Sequence, residues 1–453
     1  MIDGNNGVRQ RAFKRVAIAA LLTGAIPGVA AAQPSAQTSA QPAEAAVARF
    51  YGARQNGPLW FRPASNGEAA ALLAGILRRA QLDGLANGPE LASQVEAAIT
   101  QARNGDKPRI AAAERLISSV WVRYVQKLSA PTPGMIYGYQ PPRVPNPDRI
   151  LHEAANAPSL PQHVQAVASV NPIYAQLRDM AFRQAQSDGG SPDPRLLANM
   201  ERARAIPAEG RFVLVDVANQ RLWMYEDGRP VDSMKVVVGT IETPTPMIAS
   251  TIHYATLNPY WNVPEALIRK TVAANAVRKG PAYLKAHGYQ VLSDWGPNPT
   301  IIPASEINWK AVAAGQKTVR VRQLPGSDNA MGKVKFTFPN AENIYLHDTP
   351  SKELFDKSPR TFSNGCIRLE DANRFARWLL GEDPVANSSD PEQFVKLPQG
   401  VPVYVTYLTA LPSEGQIVFA DDVYGRDNIA SRVAFQGASP TPADGVEVPA
   451  AAP

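Results

Sequence analysis

Phe212-Val213-Leu214-Val215-Asp216-Val217-Ala218-Asn219-Gln220-Arg221-Leu222-Trp223-Met224-Tyr225-Glu226-Asp227-Gly228 is the stretch on which the architecture turns. Phe212 to Val217 is rich in β-branched residues, and Ala218-Asn219-Gln220 reads as a turn. Arg221 to Tyr225 is a second extended run. Asp227-Gly228 is a hairpin turn ahead of a third, Ser233 to Val238. Three closely spaced strands predict a mostly β domain from about Gly210 onward.

Upstream the period changes. From about Ala43 to Arg204 the apolar spacing is helical. Within Ala113 to Leu128, for example, Leu116, Val120, Tyr124 and Leu128 recur every four residues, one face of a helix. Pro131-Thr132-Pro133-Gly134 stops that helix. Leu196 to Arg204 reads as the last helix before Pro207. Core packing accounts for these stripes, and Trp60 in Gly57-Pro58-Leu59-Trp60-Phe61 reads as a buried loop anchor rather than a ligand-stacking ring.

Downstream, further strands are expected at His253 to Leu257, Val334 to Phe338, Asn343 to His347, Val401 to Tyr407 and Gln416 to Phe419. Between Asn262 and Met331 lies a long insertion with one helical piece, Glu265 to about Val277. A connection that long is commonly a binding lid or unstructured, and Tyr283, Tyr289, Trp295 and Trp309 favour an ordered lid over about 263–331. A short helix follows later, with Ala372, Phe375, Ala376 and Leu379 on one face and Gly381 to end it. The fold class expected is α+β.

The ends are of different character. Residues 1–32 fit a Sec-type export signal: Arg9, Arg11, Lys14 and Arg15, then an apolar run, then Val29-Ala30-Ala31-Ala32 for cleavage. Residues 33–42 read as a linker, 43–207 as a helical domain, 210–427 as the β domain, and 437–453 as a disordered tail. The chain of 453 residues carries a formal +6, of which 1–32 hold four basic side chains against Asp3, leaving about +3 for the rest. That balance, without a basic run, gives no support for nucleic-acid binding. No segment beyond the signal is long and apolar enough to span a bilayer. The location expected is the periplasm.

Cys366 is the only cysteine in the chain. In an exported protein it has no internal disulfide partner. It sits in Ser363-Asn364-Gly365-Cys366-Ile367-Arg368, after His347 on a candidate strand. A lone thiol with an upstream imidazole is the material of a nucleophile and its base. Gly365 removes side-chain bulk beside the thiol, and backbone N–H groups there could hold an oxyanion. Arg368 adds a fixed cation, free to grip a carboxylate or to pair with Glu370 or Asp371. Ser363 could donate to a site or shape the turn. Tyr345, two residues before His347, shares its strand face. Trp261 could wall a groove or pack in a core. The other four histidines are scattered, so no metal and no cofactor is expected.

His347-Asp348-Thr349-Pro350, a spacer, then Ser363-Asn364-Gly365-Cys366 resembles the signature of L,D-transpeptidases with a YkuD-like catalytic domain. Asn364 stands where the common pattern has His, and Arg368 where it has Asn. Both departures resemble the large periplasmic subgroup, which has a helical scaffold domain ahead of the catalytic one. Asn258-Pro259-Tyr260-Trp261-Asn262-Val263-Pro264, Ile344-Tyr345-Leu346 and Asp421-Asp422-Val423-Tyr424-Gly425-Arg426-Asp427 agree. Members of that subgroup often carry a peptidoglycan-binding module between the two domains, and the run Leu177 to Arg204 has no room for one. The resemblance implies peptidoglycan stem peptides as substrate, with Cys366 as nucleophile and His347 as general base and acid. It further implies the Asp348 carbonyl as the group orienting His347; for the oxyanion of the intermediate, the N–H groups of Gly365 and Cys366 are the natural donors. Arg368, Ser363, Asn364, Tyr345 and Trp261 would line the substrate site. The product would be a 3→3 cross-link, and carbapenems would acylate the thiol. Two other readings stay open: a carboxypeptidase on the same site, with water as acceptor, and a non-catalytic wall-binding protein. A papain-like protease does not fit, because there the His follows the Cys.

Overall fold

The computed structural model describes residues 43–62, 67–103, 105–187, 192–413 and 415–427. The export signal, the linker and the tail expected from sequence lie outside the described residues. Eight helices come first: α1 Ala43–Ala53, α2 Glu68–Leu77, α3 Gly88–Arg103, α4 Lys107–Leu128, α5 Pro147–Asn156, α6 Leu160–Ser169, α7 Pro172–Ser187 and α8 Pro194–Ala203. Several starts are written in the sequence as a polar cap followed by Pro in the first turn. Asp106, Asn146, Ser159 and Asp193 each accept an N–H from the turn they open, satisfying donors that a helix start leaves unpaired.

The helical part packs around Trp121 and Trp60, both 0 % exposed. Glu114 is buried there as well, and it anchors the Trp60 loop. Its carboxylate accepts the N–H groups of Leu59 (2.7 Å), Trp60 (2.8 Å) and Phe61 (2.8 Å) and the hydroxyl of Tyr51 (2.6 Å). A buried carboxyl group with that many donors has its hydrogen-bonding capacity satisfied.

The segment is not wholly helical. After the Pro131–Gly134 turn, β1 (Met135–Tyr137) runs extended and pairs parallel with β5 (Met247–Leu257). Pro at 131 and 133 bars helix continuation, and three residues are too few to show an alternation in sequence. The apolar cluster of the helices also takes in Phe212, Leu214, Leu408 and Ala410 from the β domain. The two parts therefore share one core.

The β domain is a sheet that returns on itself. Its strands are β2 (Phe212–Asp216), β3 (Arg221–Glu226), β4 (Arg229–Gly239), β5, β10 (Val334–Thr337), β11 (Tyr345–His347), β12 (Thr361–Ser363), β13 (Ile367–Leu369) and β14 (Gln393–Thr406). The order runs β5-β10-β11-β13-β4-β3-β2-β14, and β14 pairs back onto β5, closing the ring. Closure removes exposed edges. The β2–β3–β4 meander is the one expected from sequence, with left-handed Asp227 (φ 48°) and Gly228 (φ 72°) at its hairpin turn.

The insertion is an ordered subdomain. A helical run of Glu265–Leu267, a π-helical stretch Ile268–Ala273 and Ala274–Lys279 packs on a small sheet. That sheet has the order β6-β9-β7-β8, built from β6 (Trp261–Asn262), β7 (Tyr289–Leu292), β8 (Ile301–Ile302) and β9 (Arg320–Gln323). It has its own apolar centre of Val263, Ile268, Val272, Val291, Trp309 and Val321. Among the described residues no helix is long and apolar enough to cross a membrane.

Candidate active site

Strand alternation builds the site. In β10, β11 and β13 the residues Phe336, Leu346 and Ile367 are all 0 % exposed and point into the core. Burial of side chains this size contributes about 1.5–3 kcal/mol each, which pins the register. Their neighbours must then face the other way. The pairing puts Lys335 opposite His347, and His347 opposite Arg368. One step along the same face, Thr337 is opposite both Tyr345 and Tyr254. Cys366 precedes β13 by one residue, which sets it two positions before Arg368, as Tyr345 is two before His347. Three of the residues singled out from sequence thus meet Cys366 on one sheet face: His347, Tyr345 and Arg368.

His347 is buried, 4 % exposed, and its Nδ1 donates to the Asp348 carbonyl at 2.6 Å. A carbonyl can only accept, so the proton is on Nδ1 and the basic lone pair is on Nε2. Burial, and then the charge of Arg368, depress its pKa to about 4. The imidazole is therefore neutral at physiological pH.

The thiol is partly exposed. Its hydrogen bond goes to the Asn343 carbonyl at 3.8 Å and not to His347. Burial pushes its pKa above the ordinary thiol value, against the pull of the Tyr345 N–H and the Arg368 charge. The resting pair is thus neutral thiol and neutral imidazole, rather than a thiolate–imidazolium pair. Tyr345 is raised to about 12, by burial first and then by Cys366, Tyr254 and Glu392.

The turn before Cys366 differs from expectation in one respect. The Gly365 N–H, expected to face an oxyanion, donates instead to Ser363 Oγ at 3.2 Å. The same hydroxyl donates to the Cys366 carbonyl at 2.5 Å. Ser363 is buried and occupied with shaping the turn. Among the described residues the Cys366 N–H makes no backbone hydrogen bond outside the strand ladders. Gly365 has φ +105°, a region that side chains disfavour.

Arg368 is not paired with its sequence neighbours. Glu370 accepts the Lys235 N–H and lies 3.9 Å from Lys235 Nζ, and Asp371 caps the helix Ala372–Leu380. Among the described residues Arg368 makes no salt bridge, and its buried Nε has no partner. Asn364 is exposed beside the thiol. Trp261 is half-buried against the core of the insertion, in β6.

The sequence reading missed two features. Lys335 stands across from His347 and is neutralised by both oxygens of Glu392 at 3.1 Å. Only the register joins these two, so no local pattern announces them. Thr245 and Tyr424 were missed as well: Thr245 Oγ1 donates to the Gly365 carbonyl, and Tyr424 holds Thr245. Among the described residues no group of three His, Cys, Asp or Glu side chains could hold a metal ion.

Residues 210–405 match the family model of the YkuD L,D-transpeptidase catalytic domain, and residues 45–180 match that of a Scaffold domain. A curated relative, a putative L,D-transpeptidase of Haemophilus influenzae, is 27 % identical over 394 residues, 84 % of this chain and 78 % of that one. An L,D-transpeptidase from Mycobacterium smegmatis is 14 % identical, covering 44 % of this chain and 59 % of its own, with a TM-score of 0.23. An L,D-transpeptidase solved in complex with imipenem is 10 % identical, covering 44 % and 60 %, with a TM-score of 0.22.

Proposed function

With residues 210–405 matching the YkuD L,D-transpeptidase catalytic domain and residues 45–180 a scaffold domain, we propose that the chain is a cysteine-dependent peptidoglycan transpeptidase that makes 3→3 cross-links. The observation that carries this is the His347–Asp348 carbonyl bond beside Cys366 on one sheet face. It leaves a neutral Nε2 as base for a thiol that is itself neutral.

The steps follow from that arrangement. His347 takes the thiol proton as Cys366 attacks the carbonyl of the diaminopimelate residue in a tetrapeptide stem. The developing oxyanion is met by the Cys366 N–H; losing one such donor costs about 10²–10³ in rate. His347 then returns the proton to the departing D-Ala amine, leaving a thioester. The side-chain amine of a second stem then attacks the thioester carbonyl, the C–S bond breaks, and the amine's proton returns through His347 to the Cys366 sulfur, leaving the cross-link and the free thiol. The Arg368 guanidinium, which makes no salt bridge among the described residues, is suited to a substrate carboxylate, with Asn364 and Tyr345 as further candidates to line the site. Carbapenems offer a strained carbonyl to the same thiol and acylate Cys366. Such a substrate lies outside the inner membrane, which agrees with export to the periplasm.

The test is mass spectrometry of the mature chain, residues 33–453, incubated with disaccharide-tetrapeptide muropeptides, beside Cys366→Ala. A 3→3 dimer from the wild type alone supports the proposal. Tripeptide without dimer makes the enzyme a carboxypeptidase. No product from either sample defeats the catalytic reading.

A further inference from the structure

Thr245 lies in the connection between β4 and β5, is 0 % exposed, and is far in sequence from the motif. Its hydroxyl does two things at once. It accepts the Gly239 N–H at 2.9 Å and donates to the Gly365 carbonyl at 2.8 Å. The Gly365 carbonyl and the Cys366 N–H belong to one planar peptide unit, in which they point in opposite directions. Fixing the carbonyl therefore fixes the direction of the N–H. Glycine at 365 would otherwise leave that plane free to rotate, since it restricts φ and ψ least.

Thr245 is itself held. Tyr424 donates to the Gly239 carbonyl at 2.6 Å and accepts the Thr245 N–H at 3.4 Å. Arg426 Nη2 donates to the Thr245 carbonyl at 3.1 Å. Both belong to the segment 421–427, which is locked to α8. Arg202 donates to Asp427 at 2.8 Å and also to the Arg426 carbonyl, and Asn199 and Asp427 share Thr409. A continuous set of hydrogen bonds runs from helix α8 to the peptide that carries the nucleophile.

We infer that Thr245, held by Tyr424, is the positioning residue that aims the Cys366 N–H at the oxyanion. The inference rests on the acyl-enzyme chemistry proposed above. It goes beyond it by assigning a role to two residues outside the His/Cys motif.

Two reactions of the same thiol separate this role from general support. With imipenem, the sulfur bonds to the lactam carbonyl carbon, the ring C–N bond breaks and the thiol proton passes to that nitrogen; an oxyanion forms on the way. With iodoacetamide, sulfur displaces iodide from carbon and releases its proton, and no oxyanion forms. Both rates are measured by mass spectrometry on the full chain for wild type, Thr245→Val, Thr245→Ser and Tyr424→Phe. The expected result is a fall in acylation of at least about tenfold for Thr245→Val, since a misaimed donor costs less than the 10²–10³ of a deleted one. Alkylation should stay within about twofold, Thr245→Ser should restore acylation, and Tyr424→Phe should give a smaller selective loss. If Thr245→Val acylates like wild type, or if both rates fall together, the inference is overturned. If Thr245→Val does not fold, the same ratio in Tyr424→Phe decides. A wild type inert to imipenem but alkylated normally overturns the proposed function and this inference with it. An unaffected variant overturns the inference alone.

Discussion

His347 stands directly opposite Arg368 in the parallel pairing of β11 and β13, so the proposed base faces a fixed cation that has no salt bridge among the described residues. Burial and that cation hold the imidazole near 4. The acid limb of the acylation rate should therefore fall near pH 4, where an ordinary His would place it near ~6.5. Arg368→Gln removes the cation and should move the limb upward. Acylation of wild type and variant by a carbapenem across pH 3.5–8 checks this; a limb that stays put in the variant rules out the assigned cause.

The same shift makes a statement about stability. Between about pH 4 and ~6.5 the unfolded chain binds a proton at His347 that the folded chain does not. Stability then rises with pH across that window, is fully present above ~6.5, and is lost as pH falls toward 4. The size is roughly 3 kcal/mol at 1.36 kcal/mol per unit. Asp216, raised to about 6 by burial, opposes this over part of the same window, so the His347 share is read as the difference between wild type and His347→Asn in urea unfolding at pH 7 and pH 4.5, with the variant losing less on acidification.

Gly365→Ala should impair the site with the fold largely kept. The new Cβ would lie 3.1 Å from Ile344 Cδ1 at a φ of +105°. Strain at such a residue costs about 1–3 kcal/mol, and the turn can relieve it by rotating the peptide that leads to Cys366. A drop of a few degrees in Tm, with acylation reduced more than tenfold, is the expected pair of results. Acylation at the wild-type rate would show that the turn has room to spare.

The α8 anchor can be tested apart from the chemistry. Arg202 and Asp427 form a 2.8 Å ion pair with side chains only 4 % and 7 % exposed. Arg202→Met leaves a buried carboxylate short of its main cation, a change that typically costs about 3–5 kcal/mol. The exposed Arg78–Glu96 pair should cost under about 1 kcal/mol when broken by Arg78→Ala. Denaturant midpoints for the two variants give the comparison directly.

The legible parts of this chain were the local ones. Strands β2 to β4 showed themselves because alternation and the Asp227-Gly228 turn are read within a few residues. The helices showed themselves through a repeat that α4 sustains over 22 residues. His347 and Cys366 were visible because only one cysteine exists to be explained. The insertion's strands were not visible, since β6 and β8 are two residues long and no period fits in two residues. Strands β12 and β13, at three residues each, escaped for the same reason. The Ser363 hydroxyl that takes the Gly365 N–H, the Lys335–Glu392 pair and the Thr245 contact depend on side-chain direction or on register between distant segments. Sequence spacing carries neither.

The strand β1 gives the molecule a property that its two family matches would not suggest. A three-residue strand from the helical half is stitched into the β half, and Leu408 and Ala410 from the β half plug the helical core. Each half thus carries a piece of the other. A gene cut near residue 207 would not yield two interchangeable cassettes, because either product would expose the seat its missing piece had filled. Transplanting this catalytic half onto another scaffold requires moving Met135–Tyr137 with it, as a graft rather than as a swap.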